Sequence, residues 1–181
     1  SKMAIDATHE NGQLALFFER EARGACTAMA DLEGHLIINM GAKILVHKWV
    51  QHKEDLEPCA FHDAQIYAVS IRTMKNFIII GDIHKSIHVF LWMDRAPRTL
   101  KLLGCDFARL EVFACDFLGV HKDLAFTVSD SYGNLRCFEY SRRIADVDTV
   151  EQLLPTSGIR VGSRVTAMLR LQMLPFAGET L

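Results

Sequence analysis

Three aspartates, Asp82, Asp116 and Asp130, are the carboxylates that come closest to an arrangement for acid–base chemistry. Paired carboxylates can act as general acid and general base when their surroundings separate their pKa values. Each of the three, however, is expected at the end of a strand beside Gly or Ser, where Asp commonly accepts hydrogen bonds from the backbone of a turn. We therefore predict that all three cap turns and that none is catalytic.

The histidines offer two further arrangements. His84 and His88 have a spacing that suits a metal ion on a helix, but here the pair spans a turn and a strand, with no third ligand nearby. His62 and Asp63 with Ser70 contain the residue types of a Ser–His–Asp triad, although nothing in the sequence activates the serine. We predict no metal site, no catalytic triad and no cofactor.

Motifs of the common enzyme classes are absent from the sequence, which contains no phosphate-binding Gly-rich loop, no HExxH and no GxSxG. The cysteine count of 5 is odd and no CxxC pair occurs, so we expect reduced, mostly buried thiols in an intracellular protein. The formal charge of −2 disfavours strong nucleic-acid binding over the whole surface. We predict a protein that is not an enzyme and has no small-molecule substrate.

The elements that must position these residues repeat along the chain. Three segments begin with an aliphatic residue, have a small apolar residue two positions later and end on a large aromatic residue; they are residues 44–49, 87–92 and 135–140. Their starts are separated by 43 and 48 residues. Each is preceded by two short apolar segments and followed by a fourth, with turns between them. Four strands recurring about every 45 residues are typical of a β-propeller blade.

A blade is a small antiparallel sheet with two apolar faces, so blades stack in order to bury both. The apolar run Phe77–Ile80 is typical of a strand covered on both faces. We predict an all-β fold, a partial β-propeller with WD40-like, four-stranded antiparallel blades. Residues 1–181 would form part of one propeller, with about three blades at roughly 22–62, 63–104 and 108–160 and flanking strands at 13–18 and 164–171.

The number of blades indicates an incomplete arc. Propellers typically close with about 4–8 blades, and an open arc exposes apolar faces and strand edges. We therefore expect the chain to be part of a longer sequence or to close against another polypeptide. A β-sandwich in which the spacing is accidental is the alternative fold. No segment approaches the roughly 20 apolar residues of a membrane span, and we expect no membrane association.

Four stretches between residues 81 and 135 resemble one family of large propeller proteins. They are GDIHKS at residues 81–86, TLKLLGCDF at 99–107, LEVFACDF at 110–117 and FTVSDSYGNL at 126–135. The family includes the large subunits of the damaged-DNA-binding complex, of a splicing factor and of the cleavage and polyadenylation specificity factor (CPSF). The stretch at 99–107 resembles a leucine-rich strand of the whole family, whereas those at 110–117 and 126–135 are most similar to the CPSF branch, the CPSF A subunit family.

This resemblance implies the C-terminal propeller of a three-propeller scaffold. It also implies a nuclear role in pre-mRNA 3′-end processing, with the other subunits of the cleavage and polyadenylation complex as partners and pre-mRNA contacted directly or indirectly. Two functions follow from it: a scaffold that organises the proteins recognising the polyadenylation signal, and, as the alternative, a direct RNA-binding module. The net charge of the chain favours the scaffold.

Four basic residues are the candidate contacts for RNA or for an acidic partner: Lys85, Arg136, Arg142 and Arg143. They come directly before or after the third strand of a blade, and the ends of these strands lie at the rims of a propeller. A solvated rim without a ligand is the alternative interpretation. For Lys85 a further alternative is pairing with Asp82 across its turn.

Overall fold

A computed structural model describes residues 2–8, 14–22, 24–120, 124–140 and 150–171. Within these ranges all regular structure is β, and no helix there is long and apolar enough to cross a membrane. The strands are β1 (Lys2–Thr8), β2 (Leu14–Glu21), β3 (Cys26–Leu32), β4 (His35–Met40), β5 (Lys43–Val50), β6 (Asp55–Asp63), β7 (Ala68–Met74), β8 (Phe77–Asp82), β9 (Ser86–Met93), β10 (Thr99–Cys105), β11 (Val112–Val120), β12 (Leu124–Asp130), β13 (Asn134–Tyr140), β14 (Glu151–Gln152) and β15 (Pro155–Arg160). The prediction of an all-β fold is confirmed.

The described strands form one hairpin, β1–β2, and three larger sheets. Sheet I contains β3 to β6, sheet II contains β7 to β10 with β14 at its outer edge, and sheet III contains β11, β12, β13 and β15. Neighbouring strands pair antiparallel, except that β14 pairs with β10 in parallel. The first strands of consecutive sheets lie beside one another, β3 beside β7 and β7 beside β11. This is how blades are arranged, so the fold is a partial β-propeller.

Burial on both faces explains the apolar run in β8. Ile78 and Ile80 pack with Val46 of sheet I, whereas Ile79 packs with Val112 of sheet III. Successive side chains of a strand point to opposite faces of the sheet, so consecutive isoleucines serve two interfaces. Full burial of one such side chain contributes about 1.5–3 kcal/mol. Sheet II is therefore held between its neighbours by apolar packing on both sides.

The three aromatic residues that mark the repeat all pack toward the preceding element, as expected of wedges between blades. Trp49 makes an edge contact with Phe18 of the leading hairpin, with ring centroids 5.5 Å apart. Trp92 is buried in the cluster between sheets I and II, where it lies 5.3 Å from the ring of His35. Tyr140 belongs to the cluster between sheets II and III.

The two flanking strands of the prediction have different outcomes. The leading strand is present as β2, which pairs with β1. Residues 164–171 contain no strand, so the prediction of a trailing strand there is wrong. Two side chains from the sheets donate hydrogen bonds to backbone carbonyls of this segment. Ser129 Oγ donates to the Val165 carbonyl (2.6 Å), and Arg72 donates to the Met168 carbonyl (3.4 Å). Bonds of this kind hold an extended chain in place without a ladder.

Candidate partner-binding rim

Turns and connections meet at one end of the three sheets, which we call the turn rim. It comprises the turns between second and third strands, residues 41–42, 83–85 and 131–133, and the connections between sheets, residues 64–67 and 106–111. Backbone hydrogen bonds join the two kinds of loop: Ile83 N–H donates to the Tyr67 carbonyl (3.2 Å) and Ser86 N–H donates to the Leu110 carbonyl (3.1 Å). The turn rim is therefore a continuous surface shared by the sheets.

Asp82 joins two of these loops from below the surface. Its side chain is buried, and one carboxylate oxygen accepts hydrogen bonds from the backbone N–H groups of His84 (2.6 Å) and Lys85 (2.7 Å). The second oxygen accepts from the N–H of Tyr67, just before β7 begins. These donors would otherwise lack partners at the strand ends. The prediction that Asp82 caps its turn is confirmed.

Asp130 occupies the corresponding place in sheet III. Its carboxylate is fully buried and accepts hydrogen bonds from the N–H groups of Tyr132 (3.0 Å) and Asn134 (2.9 Å), from the Asn134 amide and from Arg136 Nε (3.2 Å). Burial alone would raise the pKa of Asp130, but the bonds from Asn134, Arg136 and Tyr132 outweigh burial and place that pKa below its ordinary value. The predicted capping role of Asp130 is also confirmed.

Asp116 lies in the interior of β11, opposite Thr127, and not at a strand end. Its carboxylate accepts a hydrogen bond from the N–H of the next residue, Phe117 (2.8 Å). A bulge between Phe117 and Gly119 allows the strand to continue beyond this polar residue to Val120. The prediction that Asp116 caps a turn is therefore wrong.

Polar side chains that the sequence did not single out join one sheet to the next at the turn rim. Asn39 of sheet I is fully buried, donates to the Ile66 carbonyl (3.4 Å) and accepts from the N–H of Ala68 (3.2 Å). Ser86 of sheet II donates its hydroxyl proton to the carboxylate of Asp106, in the connection to sheet III. Buried polar groups whose bonds are satisfied favour one arrangement of their surroundings, so these bonds fix how the sheets meet.

The predicted contact residues are only partly brought together. The side chain of Lys85 is exposed in the turn between β8 and β9, and Arg136 is half-buried against Asp130 near the start of β13. Lys85 meets Asp82 through its backbone N–H. Tyr140 ends β13 at the opposite end of sheet III from the turn rim. Arg142 and Arg143 lie outside the described residues.

The two histidine arrangements are not assembled as catalytic or metal sites. His84 is exposed, whereas His88 stacks on Phe90, and burial lowers the pKa of His88 to about 4. His62 makes an edge contact with Phe90, and Asp63 forms an ion pair with Lys43 (3.3 Å). No group of three or more His, Cys, Asp and Glu side chains suited to a metal ion occurs among the described residues.

The cysteines are free thiols, and two of them, Cys105 and Cys115, are buried. Cys115 lies in the apolar cluster between sheets II and III. Burial raises the pKa of its thiol to about 11, so the thiolate, which is the reactive form, is scarce near neutral pH. These two cysteines act as small apolar residues.

Exposed aromatic side chains are the feature of the turn rim that sequence reasoning missed. Tyr67, Phe107 and Tyr132 have 54%, 67% and 77% of their surface exposed. They lie in two connections and one turn of the turn rim, which also carries the exposed Lys85 and Arg109. The local sequence carried no signal for their exposure, because other loop residues of the same connections, Ile66 and Leu110, are buried between the sheets.

The turn rim and the sheet arrangement can be set beside known proteins. The sequence model of the "CPSF A subunit region" matches residues 3–181. The chain belongs to the CPSF A subunit family. The similar proteins include the probable cleavage and polyadenylation specificity factor subunit 1 of Oryza sativa subsp. japonica, 39% identical over 89% of the chain, and subunit 1 of Arabidopsis thaliana, 39% identical over 87%. Subunit 1 of Drosophila melanogaster is 32% identical over 86%.

The match covers a small part of these relatives. The chain spans 11% of the length of the rice and Arabidopsis proteins and 10% of the Drosophila protein. Membership in the CPSF A subunit family therefore rests on one region, the region that contains the three sheets and the turn rim. The resemblance to the family found in the sequence is confirmed.

Proposed function

We propose that this chain is a non-enzymatic scaffold in the cleavage and polyadenylation complex that processes the 3′ ends of pre-mRNA in the nucleus. The observation that carries the proposal is the family match over residues 3–181. The structure supports it because the buried carboxylates at the turn rim, Asp82, Asp106 and Asp130, are engaged in hydrogen bonds that hold loops together. The turn rim offers a surface for partners.

We further propose that the three sheets are consecutive blades of one propeller within a longer protein. Both faces of sheet II are covered, by sheet I and by sheet III, as they are inside a closed ring of blades. The partners of this scaffold are the other subunits of the complex, and the proposed contact residues are Lys85, Arg136, Arg142 and Arg143. Arg136 differs from Lys85 in that a buried carboxylate already neutralises its charge.

The scaffold proposal is tested by affinity purification of the longer protein carrying this region, with mass spectrometry of the proteins that co-purify. We expect the subunits that cleave and polyadenylate pre-mRNA. The matched control is the same protein lacking the region of the three sheets, which should retain fewer of them. Recovery of an unrelated complex without any processing subunit would overturn the proposal.

A direct RNA-binding module is the second candidate, favoured by the exposed Lys85 beside aromatic side chains. Such binding would weaken steeply as salt concentration rises, because cations on RNA are released when phosphates are neutralised. Filter binding with an RNA that contains the polyadenylation signal distinguishes the two candidates. Saturable, salt-sensitive binding supports the RNA module, and no saturable binding at low salt leaves the scaffold.

A further inference from the structure

Five exposed side chains of the turn rim, Tyr67, Lys85, Phe107, Arg109 and Tyr132, form what we call the aromatic rim. We propose that the aromatic rim binds an acidic segment of a partner protein, one that carries carboxylates between apolar side chains. The proposal states which kind of partner binds to one surface of the scaffold, and it rests on the proposed scaffold function. It concerns residues of which only Lys85 was a candidate in the sequence.

Backbone contacts place the loops that carry these side chains beside one another. The Tyr67 carbonyl accepts a hydrogen bond from Ile83, two residues before Lys85. The Leu110 carbonyl, next to Arg109, accepts from Ser86, the residue after Lys85. The two connections between sheets therefore flank the turn that carries Lys85. The turn that carries Tyr132 lies beside the connection that carries Arg109, because this turn comes directly after Asp130 and Asp130 pairs with Val112 at the start of β11.

The loops under the aromatic rim are held in a single arrangement before any partner arrives. Asp82 joins the Lys85 turn to Tyr67, and the Asp106 carboxylate accepts from Ser86 and from the N–H of Ala108, beside Phe107. Asp130 accepts from the N–H of Tyr132. Side chains presented by ordered loops lose little backbone freedom on binding, which favours affinity. Exposed Tyr, Phe and Arg in one patch are the residue types enriched at the centres of protein interfaces.

The positive charges of Lys85 and Arg109 in the aromatic rim favour a partner that carries carboxylates. Neither Lys85 nor Arg109 forms an ion pair with any described residue, and the exposed Glu111 of the same connection lies beyond ion-pair distance of both. Other exposed cations, Lys43 and Arg98, are paired within the molecule, with Asp63 at 3.3 Å and Asp94 at 2.6 Å. A partner that supplies one or two carboxylates would complete the pairing.

Two observations favour a protein segment over a nucleic acid. The aromatic rim has two cations that pair with no described residue, so it could neutralise only about two phosphates, and the affinity of a protein for nucleic acid rises with the number of phosphates that it neutralises. Directly beneath the rim, the carboxylates of Asp82 and Asp106 are held by N–H and hydroxyl donors and form no ion pair with a described residue. These buried negative charges weaken the attraction for a polyanion more than for a segment anchored by apolar side chains.

The test is fluorescence anisotropy of a short labelled peptide in which Glu and Asp alternate with Leu and Phe, titrated with the full chain. We expect saturable binding that Lys85→Glu with Arg109→Glu weakens at least about tenfold, as does Tyr132→Ala. The matched control is Lys75→Glu with Arg95→Glu, which changes the net charge equally at exposed positions away from the turn rim and should bind as the parent does. Circular dichroism of each variant establishes that it is folded.

Two further probes are a peptide with Gln and Asn in place of the acids and a single-stranded RNA of similar length. The proposal predicts that both bind at least about tenfold more weakly than the acidic peptide. Equal binding of the neutral peptide, tighter binding of the RNA, no binding of the acidic peptide, or equal loss in the control variant would each overturn it. Because binding is measured without other subunits, its failure is distinct from failure of the scaffold function, which co-purification reports.

Discussion

At the scale of the single residue, the turn rim depends on buried carboxylates that each accept several hydrogen bonds. Asp82 and Asp130 end the second strand of sheets II and III, and Asn39 lies near the end of the same strand in sheet I. The sequence predicted the two aspartates as turn caps because an Asp beside Gly or Ser after an apolar run is a local pattern. It did not predict Asn39, whose partners Ile66 and Ala68 are distant in sequence.

Replacement of Asp130 by Ala should destabilise the fold strongly. The change leaves the half-buried Arg136 and the N–H groups of Tyr132 and Asn134 without their buried acceptor, and leaving a buried hydrogen-bonding group unsatisfied costs about 1–3 kcal/mol. Urea unfolding measures this loss. The matched control is Asp63→Ala, which removes an exposed ion pair with Lys43 and should cost less than about 1 kcal/mol. Equal losses in the two variants would show that Asp130 does not hold its turn.

The largely buried His88 should make stability depend on pH. Its pKa is lowered from 6.5 to about 4, first by burial, so between these values the unfolded state binds more protons than the folded state. The stability that depends on neutral His88 is therefore complete above pH 6.5 and falls as the pH is lowered. The loss amounts to about 3 kcal/mol when the pH reaches the folded-state pKa. Urea unfolding across this range should show the fall in the parent and in the exposed-site control His84→Gln. A fall of the same size in His88→Gln would contradict the assignment.

At the scale of the element, the sequence predicted most of the strands, but it predicted only some of the strands with which they pair. The run Phe77–Ile80 was predicted as a strand covered on both faces, and it is, because its side chains alternate between two sheets. A flanking strand was also predicted at residues 164–171, but none forms there. A strand needs a free edge to pair with, and the sequence of the strand itself does not show one. The same reason hides β14, a two-residue parallel pairing with β10.

Close packing between sheets II and III is tested at Gly81. A Cβ atom at this position would lie 2.5 Å from Cγ1 of Val112, too close unless Val112 or its strand shifts. We expect Gly81→Ala to cost about 1–3 kcal/mol, as overpacking does. Val112→Ala removes the clashing methyl groups, so the same glycine substitution should cost less in that background. A double-mutant cycle by urea unfolding measures the coupling, and strictly additive losses would contradict the packing.

At the scale of the whole molecule, the predicted repeat has become three sheets packed face to face, with a turn rim that joins them. The composition of the chain disfavoured a basic nucleic-acid-binding surface and excluded little else about function. Membership in the CPSF A subunit family was visible in short stretches of sequence such as residues 81–86. The aromatic rim was not visible in the sequence, because Tyr67, Phe107 and Tyr132 lie far apart along the chain and share one rim only when loops of different sheets meet.

The central claim is that the three packed sheets serve as a scaffold for the other subunits of the cleavage and polyadenylation complex. The most direct test is a quantitative pull-down with the longer protein, comparing the parent and Val112→Ala, each with and without Gly81→Ala. The account predicts that Gly81→Ala lowers the amount of bound processing subunits more in the parent than in the Val112→Ala background, in step with the stability of the sheets. Undiminished binding when the sheets are unfolded would contradict it.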